Sequence, residues 1–539
     1  MNDQIKKSYN ELVELKYQLY NSLFLTLPLD AVEQTGLLLP LLQKVCETGF
    51  EEGLSPEVII NEFFKEHKAH FNERDRISFL FKVIQYVERQ IVLIDALEES
   101  AYSRIHNIGD SDSWARISDK VRNKNLDDRM KEVLSTFGIR VVLTAHPTQF
   151  YPGQVLAISS DLTDSITNGD IAYSRDLLQQ LGKTPFYRKH KPTAYNEALS
   201  LTWYLSNIFY PAIGELMDRI SQNFNQSVLP DNQLITLGFW PGGDRDGNPF
   251  VTVDTTKKVA ARLRESIVKC YHQDIKLLKR RLSFRGVYEI LNQLDELLYE
   301  ELTNPGGEKN IDLDDLISKL DEIEKTLINK HQGLFIEKLR SFKRKVNLFG
   351  FYFASIDIRQ DSRVIAKTFE AVVNQNPNLL PDNFDDLPQN DKLEYLLNID
   401  KHAENFSSED ILIKDTVDSF GVIRQIQQMN GNKAAHRYII SNCRGAMDIA
   451  RVIALAKMCS WGTDELTLDV VPLFETIDDL KLAGESMEVI YNQPAYNNHL
   501  QNRKFRQTVM LGFSDGTKDG GYLMANWAIY RAKEDVTSV

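Results

Sequence analysis

Six short runs of β-branched and aromatic residues occur after residue 135, and long helical or polar stretches separate them. The runs are residues 139–143, 233–240, 348–358, 437–441, 468–474 and 507–513. Runs of this length and composition indicate buried strands, and strands that alternate with helical stretches are typical of a parallel sheet. This alternation constrains the fold more than any other feature of the chain.

Five of the six predicted strands are followed closely by a polar cluster. The clusters are residues 144–148, 242–249, 359–362, 475–476 and 514–519. In a parallel α/β barrel the carboxyl ends of all strands open on one face, so such clusters converge on a single site. A closed barrel has about eight strands, whereas six are recognised here. The sequence therefore predicts a predominantly α-helical α/β protein with an incomplete (β/α)8-type, TIM-like barrel and many extra helices.

The first 134 residues have a different pattern. Apolar residues recur there at intervals of three and four, as at Ile77, Leu80, Phe81 and Ile84, and β-like alternation is scarce. We therefore expect a helical amino-terminal region at residues 1–134, followed at residues 135–539 by the incomplete barrel that carries the catalytic motifs.

The chain has 76 acidic and 63 basic residues, a formal net charge of −13. A field of this sign repels nucleic-acid phosphates and anionic membrane surfaces. The four cysteines are far apart and form no Cys-x-x-Cys pair, which argues against a disulfide framework or a structural zinc site. No apolar run approaches the roughly 20 residues that span a bilayer, and no signal-peptide core is found. We expect a cytoplasmic protein that binds neither nucleic acid nor membranes.

Two carboxylates stand at predicted strand ends, Glu475 after residues 468–474 and Asp515 after residues 507–513. If both face one cavity, they repel each other unless a cation lies between them. Oxygen ligands without a nearby cysteine or a His-x-x-x-His pair favour Mg²⁺ or Mn²⁺ over zinc. The alternative is that each acid pairs with a nearby base or faces water, which is the better interpretation for either residue alone.

Arg245 and Arg359 follow two other predicted strands. A guanidinium group offers a fork of donors that matches the oxygens of a phosphate or a carboxylate, so this placement favours an anionic substrate. The alternative is ion pairing with Asp244, Asp246 or Asp361, which lie in the same loops.

His146 and Lys518 complete the candidate catalytic residues. Pro147 restricts the His146 backbone to extended conformations, and an imidazole can stabilise a transferring phosphoryl group or exchange a proton near neutral pH. Lys518 follows Asp515 by three residues, so a turn would bring its ammonium group beside the metal ion. The alternatives are a structural histidine and a surface lysine.

Three segments closely resemble the phosphoenolpyruvate carboxylase family. They are VLTAHPTQ at residues 142–149, GGDRDGNP at residues 242–249, and VMLGFSD at residues 509–515 followed by Lys518 and Asp519. Weaker similarity occurs, in the family's order, at residues 191–198, 356–360 and 470–475. The resemblance covers most of the chain from about residue 135 onward, whereas the preceding part is similar only in its helical character.

The resemblance implies a carbon–carbon lyase with a largely helical α/β barrel that forms homotetramers. Bicarbonate attacks the phosphate of phosphoenolpyruvate, which gives carboxyphosphate and the enolate of pyruvate, and carbon dioxide then captures the enolate. The products are oxaloacetate and phosphate, an anaplerotic carbon-fixation step that supplies the tricarboxylic acid cycle without biotin or a nucleotide.

The resemblance also implies residue roles. Glu475 and Asp515 would hold Mg²⁺ or Mn²⁺, and Arg245 would contact the phosphate. His146, Lys518 and Arg245 would be catalytic. By the same resemblance, Arg359 would be a further substrate-binding residue.

The chain departs from the family's usual pattern at Pro152, Phe513 and Gly516, where the family has arginine, tyrosine and serine. The family's glycine- and arginine-rich catalytic loop and its carboxyl-terminal effector and assembly region, both expected downstream of Lys518, are not found in the sequence. The arginines of that loop would neutralise charge in the transition state, and even one lost oxyanion donor costs about 3 kcal/mol. We therefore expect this chain alone to be weakly active or inactive. Two alternatives stay open: another phosphoenolpyruvate- or pyruvate-handling barrel enzyme, and a truncated, non-catalytic homologue that binds an anion or a metal ion.

Overall fold

The computed structural model describes residues 2–26, 35–106, 113–144, 151–186, 192–224, 234–304, 311–404 and 406–539. Most of these residues are helical. The first nine α-helices are α1 (Asn2–Tyr9), α2 (Leu15–Thr26), α3 (Thr35–Glu51), α4 (Pro56–His67), α5 (Glu73–Ile105), α6 (Ser113–Asn123), α7 (Asp127–Thr136), α8 (Gly153–Asn168) and α9 (Ile171–Lys183). The later ones are α10 (Ala194–Tyr204), α11 (Tyr210–Phe224), α12 (Val253–Lys279), α13 (Tyr288–Thr303), α14 (Leu313–His331), α15 (Ile336–Phe349), α16 (Ser362–Gln375), α17 (Gln389–Leu397), α18 (Ile411–Asn430), α19 (Ala446–Ala456), α20 (Ile477–Tyr491), α21 (Pro494–Asn502) and α22 (Ser514–Ser538).

Short helical turns of other types connect some of these helices. The π-helical turns are Asn10–Glu14, Leu205–Phe209 and Lys457–Trp461, and the 3₁₀ turns are Pro377–Leu379, Phe384–Asp386 and Asn432–Ala435. Across the described ranges, no helix is both long enough and apolar enough to cross a bilayer.

The chain divides into two compact units. The first consists of Met1–Leu126 and His146–Lys191, and the second of Asp127–Ala145 and Pro192–Val539. In its described part the first unit is helical, and a core of buried apolar side chains that includes Leu97 holds its helices together.

The second unit contains a sheet of six parallel strands. They are β1 (Ile139–Leu143), β2 (Ile235–Phe239), β3 (Ser355–Asp361), β4 (Arg437–Ser441), β5 (Asp469–Phe474) and β6 (Met510–Leu511). Each strand pairs with the next one along the chain, so the spatial order is β1 to β6. The sheet is a curled half-barrel, which confirms the predicted incomplete TIM-like barrel with many helices. All carboxyl ends lie at one edge of this sheet.

The predicted strands correspond to the observed ones, although their bounds differ. Two predictions match β1 and β4 residue for residue, and β5 begins at Asp469, one residue later than expected. At the last run, residues 507–513, only Met510–Leu511 pairs as a strand.

The predicted strand at residues 348–358 is wrong in its first half. Helix α15 runs to Phe349, and Gly350 (φ 50°) and Phe353 (φ 60°) then turn the chain before β3 begins at Ser355. The run is apolar because the helix end and the turn are both buried, with Phe349 and Phe353 each 1% exposed. A short apolar run does not distinguish a buried helix end from a buried strand.

Helices α16 and α20 begin directly after β3 and within three residues of the end of β5, respectively. Asp361, the last residue of β3, caps α16 by accepting a hydrogen bond from the Arg363 amide at 2.7 Å. Thr476 caps α20 and forms a capping box with Asp479. Side-chain caps of this kind start a helix at a defined residue. The caps therefore fix where α16 and α20 begin relative to β3 and β5.

Candidate active site

Arg359, near the carboxyl end of β3, contacts side chains from three neighbouring strand ends. Its Nη2 lies 2.7 Å from Asp246 Oδ2 and 3.2 Å from Glu475 Oε1, and its Nη1 lies 3.4 Å from Asp244 Oδ2. Its Nε donates to Ser441 Oγ at 2.6 Å. Polar side chains from the loop after β2, from within β3, from the end of β4 and from directly after β5 thus meet; Arg359 was predicted to follow its strand but lies within β3, which extends to Asp361.

The loop after β2, residues 242–249, is fixed to β3 by its backbone. The Arg245 amide donates to the Arg359 carbonyl, and the Arg359 amide donates to the Gly243 carbonyl, both at 3.0 Å. A Cβ atom at Gly243 would lie 2.2 Å from the Asp357 carbonyl oxygen. Glycine is therefore required at this approach of two backbones.

Trp240, which directly follows β2, supports Arg359 from the sheet. Its ring centroid lies 5.3 Å from Arg359 Cζ, a cation–π distance. Its Nε1 donates to Asp357 Oδ2 at 3.1 Å, and Asp357 Oδ1 lies 2.6 Å from Arg140 Nη2. Arg359 is held by an aromatic ring as well as by carboxylates.

Glu475 follows β5, and its side chain is 12% exposed. In addition to the Arg359 ion pair, its Oε2 accepts a hydrogen bond from the Asn442 amide at 3.1 Å. Burial raises the pKa of Glu475, Arg359 opposes that rise, and the nearby carboxylates of Asp246 and Asp515 add to it. Glu475 is therefore a partly buried acid with two like-charged neighbours.

Asp515 lies in the first turn of α22, beside Glu475. Cβ atoms added at Gly512 and Gly516 would lie 3.1 Å from Glu475 Cα and 3.3 Å from the Glu475 carbonyl oxygen, respectively. Lys518 Nζ lies 2.8 Å from Asp515 Oδ1, and the lysine side chain is 77% exposed. Asp515 raises the pKa of Lys518, so the ammonium group stays charged.

Arg245 is buried, with its side chain 2% exposed. Its Nε lies 3.0 Å from Asp415 Oδ2, its Nη2 donates to Thr256 Oγ1 at 2.9 Å, and its Nη1 donates to the Gly243 carbonyl at 3.2 Å. These contacts direct the guanidinium to α12 and α18. The predicted phosphate contact of Arg245 stays a prediction. His146 lies outside the described residues, so its predicted place in the site also stays a prediction.

Several residues of the site were not identified from the sequence. Ser441 is the last residue of the one predicted strand to which no polar cluster was assigned, and Asn442 follows it. Trp240 is the last residue of another predicted strand, so position at a strand end could have indicated all three. Asp415 lies within α18, and its contact with Arg245 spans 170 positions. Nothing in the local sequence indicates that contact.

The charges at the site suit a divalent cation. Four carboxylates, those of Asp244, Asp246, Glu475 and Asp515, lie near two cationic groups, those of Arg359 and Lys518. Among the described residues, no group of three or more histidine, cysteine or acidic side chains is arranged to hold a metal ion. Mg²⁺ is commonly bound through one or two carboxylates, with water and substrate oxygens completing its shell. Glu475 and Asp515 fit that mode.

Comparisons with known proteins point to one family. The sequence model described as phosphoenolpyruvate carboxylase matches residues 76–310 and 299–539. The phosphoenolpyruvate carboxylase of Prochlorococcus marinus subsp. pastoris strain CCMP1986 is 27% identical over a 492-residue alignment that covers 75% of this chain and 49% of that protein. That of Prochlorococcus marinus strain MIT 9215 is 26% identical with the same coverage.

The family match extends over both units of the chain. The chain spans about half the length of the curated relatives it matches. The match includes β1 to β6 and every described residue of the candidate site. The chain belongs to the phosphoenolpyruvate carboxylase family.

Proposed function

We propose that this protein acts as a phosphoenolpyruvate carboxylase, which forms oxaloacetate and phosphate from phosphoenolpyruvate and bicarbonate with Mg²⁺ or Mn²⁺. One observation carries the proposal: Arg359 and Glu475, 116 positions apart, meet at the carboxyl edge of the parallel sheet, beside Asp515 and Lys518. Groups whose charges suit an anion and a metal ion thus lie together in a chain of this family.

The reaction balances without any further reagent. A bicarbonate oxygen attacks the phosphorus of phosphoenolpyruvate, and the bond from phosphorus to the enol oxygen breaks. Carboxyphosphate then releases carbon dioxide and phosphate, and the phosphate keeps the bicarbonate proton. The electron pair of the enolate forms the new bond from C3 to the carbon of carbon dioxide, which completes oxaloacetate.

The proposed residue roles follow from charge and position. Glu475 and Asp515 would hold the divalent ion, which when bound supplies positive charge against the anionic substrate. Arg359 would bind phosphate oxygens through its fork of donors. The exposed ammonium group of Lys518 would neutralise charge that develops on the enol oxygen, and His146 would assist phosphoryl transfer, as the family resemblance implies.

The test is a coupled assay for oxaloacetate with Mn²⁺, phosphoenolpyruvate and bicarbonate. The rate should be low, as expected for this chain alone, and product should form only when bicarbonate is present. A Glu475→Gln, Asp515→Asn double variant should lose roughly 100-fold or more of that rate, since a catalytic metal ion is worth several kcal/mol. Asp478→Asn is the matched control, because Asp478 is 89% exposed and pairs only with Lys481 among the described residues.

Three outcomes would contradict the proposal. Product at an equal rate without bicarbonate would favour another phosphoenolpyruvate-handling barrel enzyme. Calorimetric binding of Mn²⁺ and phosphoenolpyruvate without any product would favour the non-catalytic homologue. Equal rates in the wild type and the double variant would exclude Glu475 and Asp515 as metal ligands.

We also propose a cytoplasmic homo-oligomer, a tetramer by family resemblance. All four cysteines are free thiols, which is consistent with a reducing compartment. Size-exclusion chromatography with light scattering tests the assembly, and a monomer at micromolar concentration would contradict it.

A further inference from the structure

We propose that Asp415 is a positioning residue for the anion-binding Arg359. It acts by clamping Arg245 and so holding the loop at residues 242–249, which presents Asp244 and Asp246 to Arg359. The consequence for substrate binding rests on the proposed function. The positioning of the loop does not.

Asp415 joins three parts of the second unit through one carboxylate. The side chain, on α18, is 13% exposed. Its Oδ2 lies 3.0 Å from Arg245 Nε, and its Oδ1 accepts a hydrogen bond from the Val253 amide at 2.8 Å. Val253 is the first residue of α12, where an amide without a helical partner and the helix dipole both favour a negative group. The carboxylate therefore links the loop, α12 and α18.

Arg245 closes the loop onto α12. Its Nη2 donates to Thr256 Oγ1 at 2.9 Å, and Thr256 Oγ1 in turn donates to the Gly242 carbonyl at 2.6 Å. With Nη1 on the Gly243 carbonyl at 3.2 Å, every nitrogen of the guanidinium has a protein acceptor. These bonds use three of the five N–H groups of the guanidinium and tie Arg245 to the loop and to both helices.

The same loop connects Asp415 to Arg359. Arg245 bonds to Asp415, whereas its neighbours Asp244 and Asp246 both pair with Arg359. The Arg245 amide also donates to the Arg359 carbonyl at 3.0 Å. Removing the charge of Asp415 leaves a buried guanidinium without its counter-ion. The loop should then open more often, and Arg359 should lose two of its carboxylate partners.

Hydrogen exchange measured by mass spectrometry tests the positioning directly. The substitution Asp415→Asn keeps an oxygen for the Val253 amide but removes the charge that Arg245 requires. We expect exchange in a peptide covering residues 240–248 to accelerate about tenfold, because a hydrogen bond to a charged group is lost. Amides of Gly243 and Asp244 report on this opening, since both donate to the Trp240 carbonyl.

Asp218→Asn is the matched control. Asp218, on α11, is 24% exposed and pairs with Arg344 Nη2 at 2.7 Å, so the variant also loses a partly buried ion pair. We expect it to leave exchange in the 240–248 peptide unchanged. Thr256→Val, which keeps the side-chain shape but removes the hydroxyl, is a second test variant. It should accelerate exchange in the same peptide by a smaller factor, about threefold.

Ligand titrations separate the positioning from the proposed function. With Mn²⁺ present, phosphoenolpyruvate should bind about tenfold more weakly to Asp415→Asn than to the wild type. Affinity for Mn²⁺ alone should change less than twofold, because Glu475 and Asp515 lie outside the loop. Equal exchange in the Asp415→Asn and Asp218→Asn proteins would overturn the positioning role. A wild type that binds no phosphoenolpyruvate would overturn the proposed function, and the exchange data would still decide the positioning.

Discussion

At the scale of single residues, Glu475 should make metal binding depend on pH. A carboxyl group must lose its proton before it binds a metal ion. Burial, with Asp246 and Asp515 adding to it, raises the pKa of Glu475 above its usual 4.5. Affinity for Mn²⁺ should therefore be highest above this raised pKa. As the pH is lowered, the affinity should begin to fall at a higher pH than it would for a glutamate with the usual pKa.

Electron paramagnetic resonance of free Mn²⁺ between pH 8 and pH 4.5 measures this dependence. In the Glu475→Gln protein the affinity should be lower and should change less with pH. An affinity of the wild type that stays constant down to the usual pKa of 4.5 would contradict the raised pKa or the role of Glu475 as a ligand.

The planar guanidinium group of Arg359 should contribute to anion binding. Arg359→Lys keeps the charge but removes the planar fork that Asp246 and Ser441 now hold. The affinity for phosphoenolpyruvate should fall by about 1.5–3 kcal/mol, the range for hydrogen bonds to charged groups. Calorimetric titration in the presence of Mn²⁺ measures the change. Arg340→Lys is the control, because Arg340 pairs with Glu324 and Glu337, on α14 and α15. An equal loss of affinity in both proteins would contradict a specific role of Arg359.

At the scale of elements, the junction of β2 and β3 depends on Gly243. A Cβ atom there would lie 2.2 Å from the Asp357 carbonyl oxygen and 2.8 Å from Ile356 Cγ2. Gly243→Ala should therefore lower the free energy of unfolding by about 1–3 kcal/mol, as overpacking does, and should separate the loop from β3. Urea denaturation measures the change.

Gly421→Ala is the control for that prediction, because it should change the stability in the opposite direction. Gly421 lies inside α18, and a Cβ atom there would meet nothing within 4 Å. Alanine at this position should raise the free energy of unfolding by about 0.5–1 kcal/mol, because glycine weakens a helix. A Gly243→Ala protein as stable as the Gly421→Ala protein would mean that the two backbones can separate without cost.

At the scale of the whole molecule, the two compact units should unfold in separate steps. Leu97 and Ile423 are each 0% exposed, one in the core of the first unit and one in α18 of the second. Leu97→Ala and Ile423→Ala should each lower the free energy of unfolding of their own unit by about 2–5 kcal/mol. Each variant should therefore lower the temperature of one calorimetric transition and leave the other unchanged. A single transition that both variants shift equally would contradict independent units. The predicted division into residues 1–134 and 135–539 stays a prediction that the same calorimetry bears on.

The sequence alone located most of the sheet. Apolar runs marked all six strands, five of them followed by a polar cluster, since burial and strand length leave a local signature. The same signature failed at residues 348–358, where a buried helix end and turn are as apolar as the strand that follows. The strand-end placement of Glu475, Arg359 and Asp515 was also visible, because parallel strands bring their carboxyl ends to one edge.

Only the tertiary structure decided which side chains meet there. The contacts of Arg359 with Ser441, of Arg245 with Asp415 and of Arg140 with Asp357 span 82, 170 and 217 positions. The register of the strands and the packing of helices on them set these partners, and neither leaves a trace in the residues nearby. The sequence therefore determined the family, the strands and the acids at their ends, whereas packing decided that Arg359 faces the carboxylates and Arg245 faces the helices.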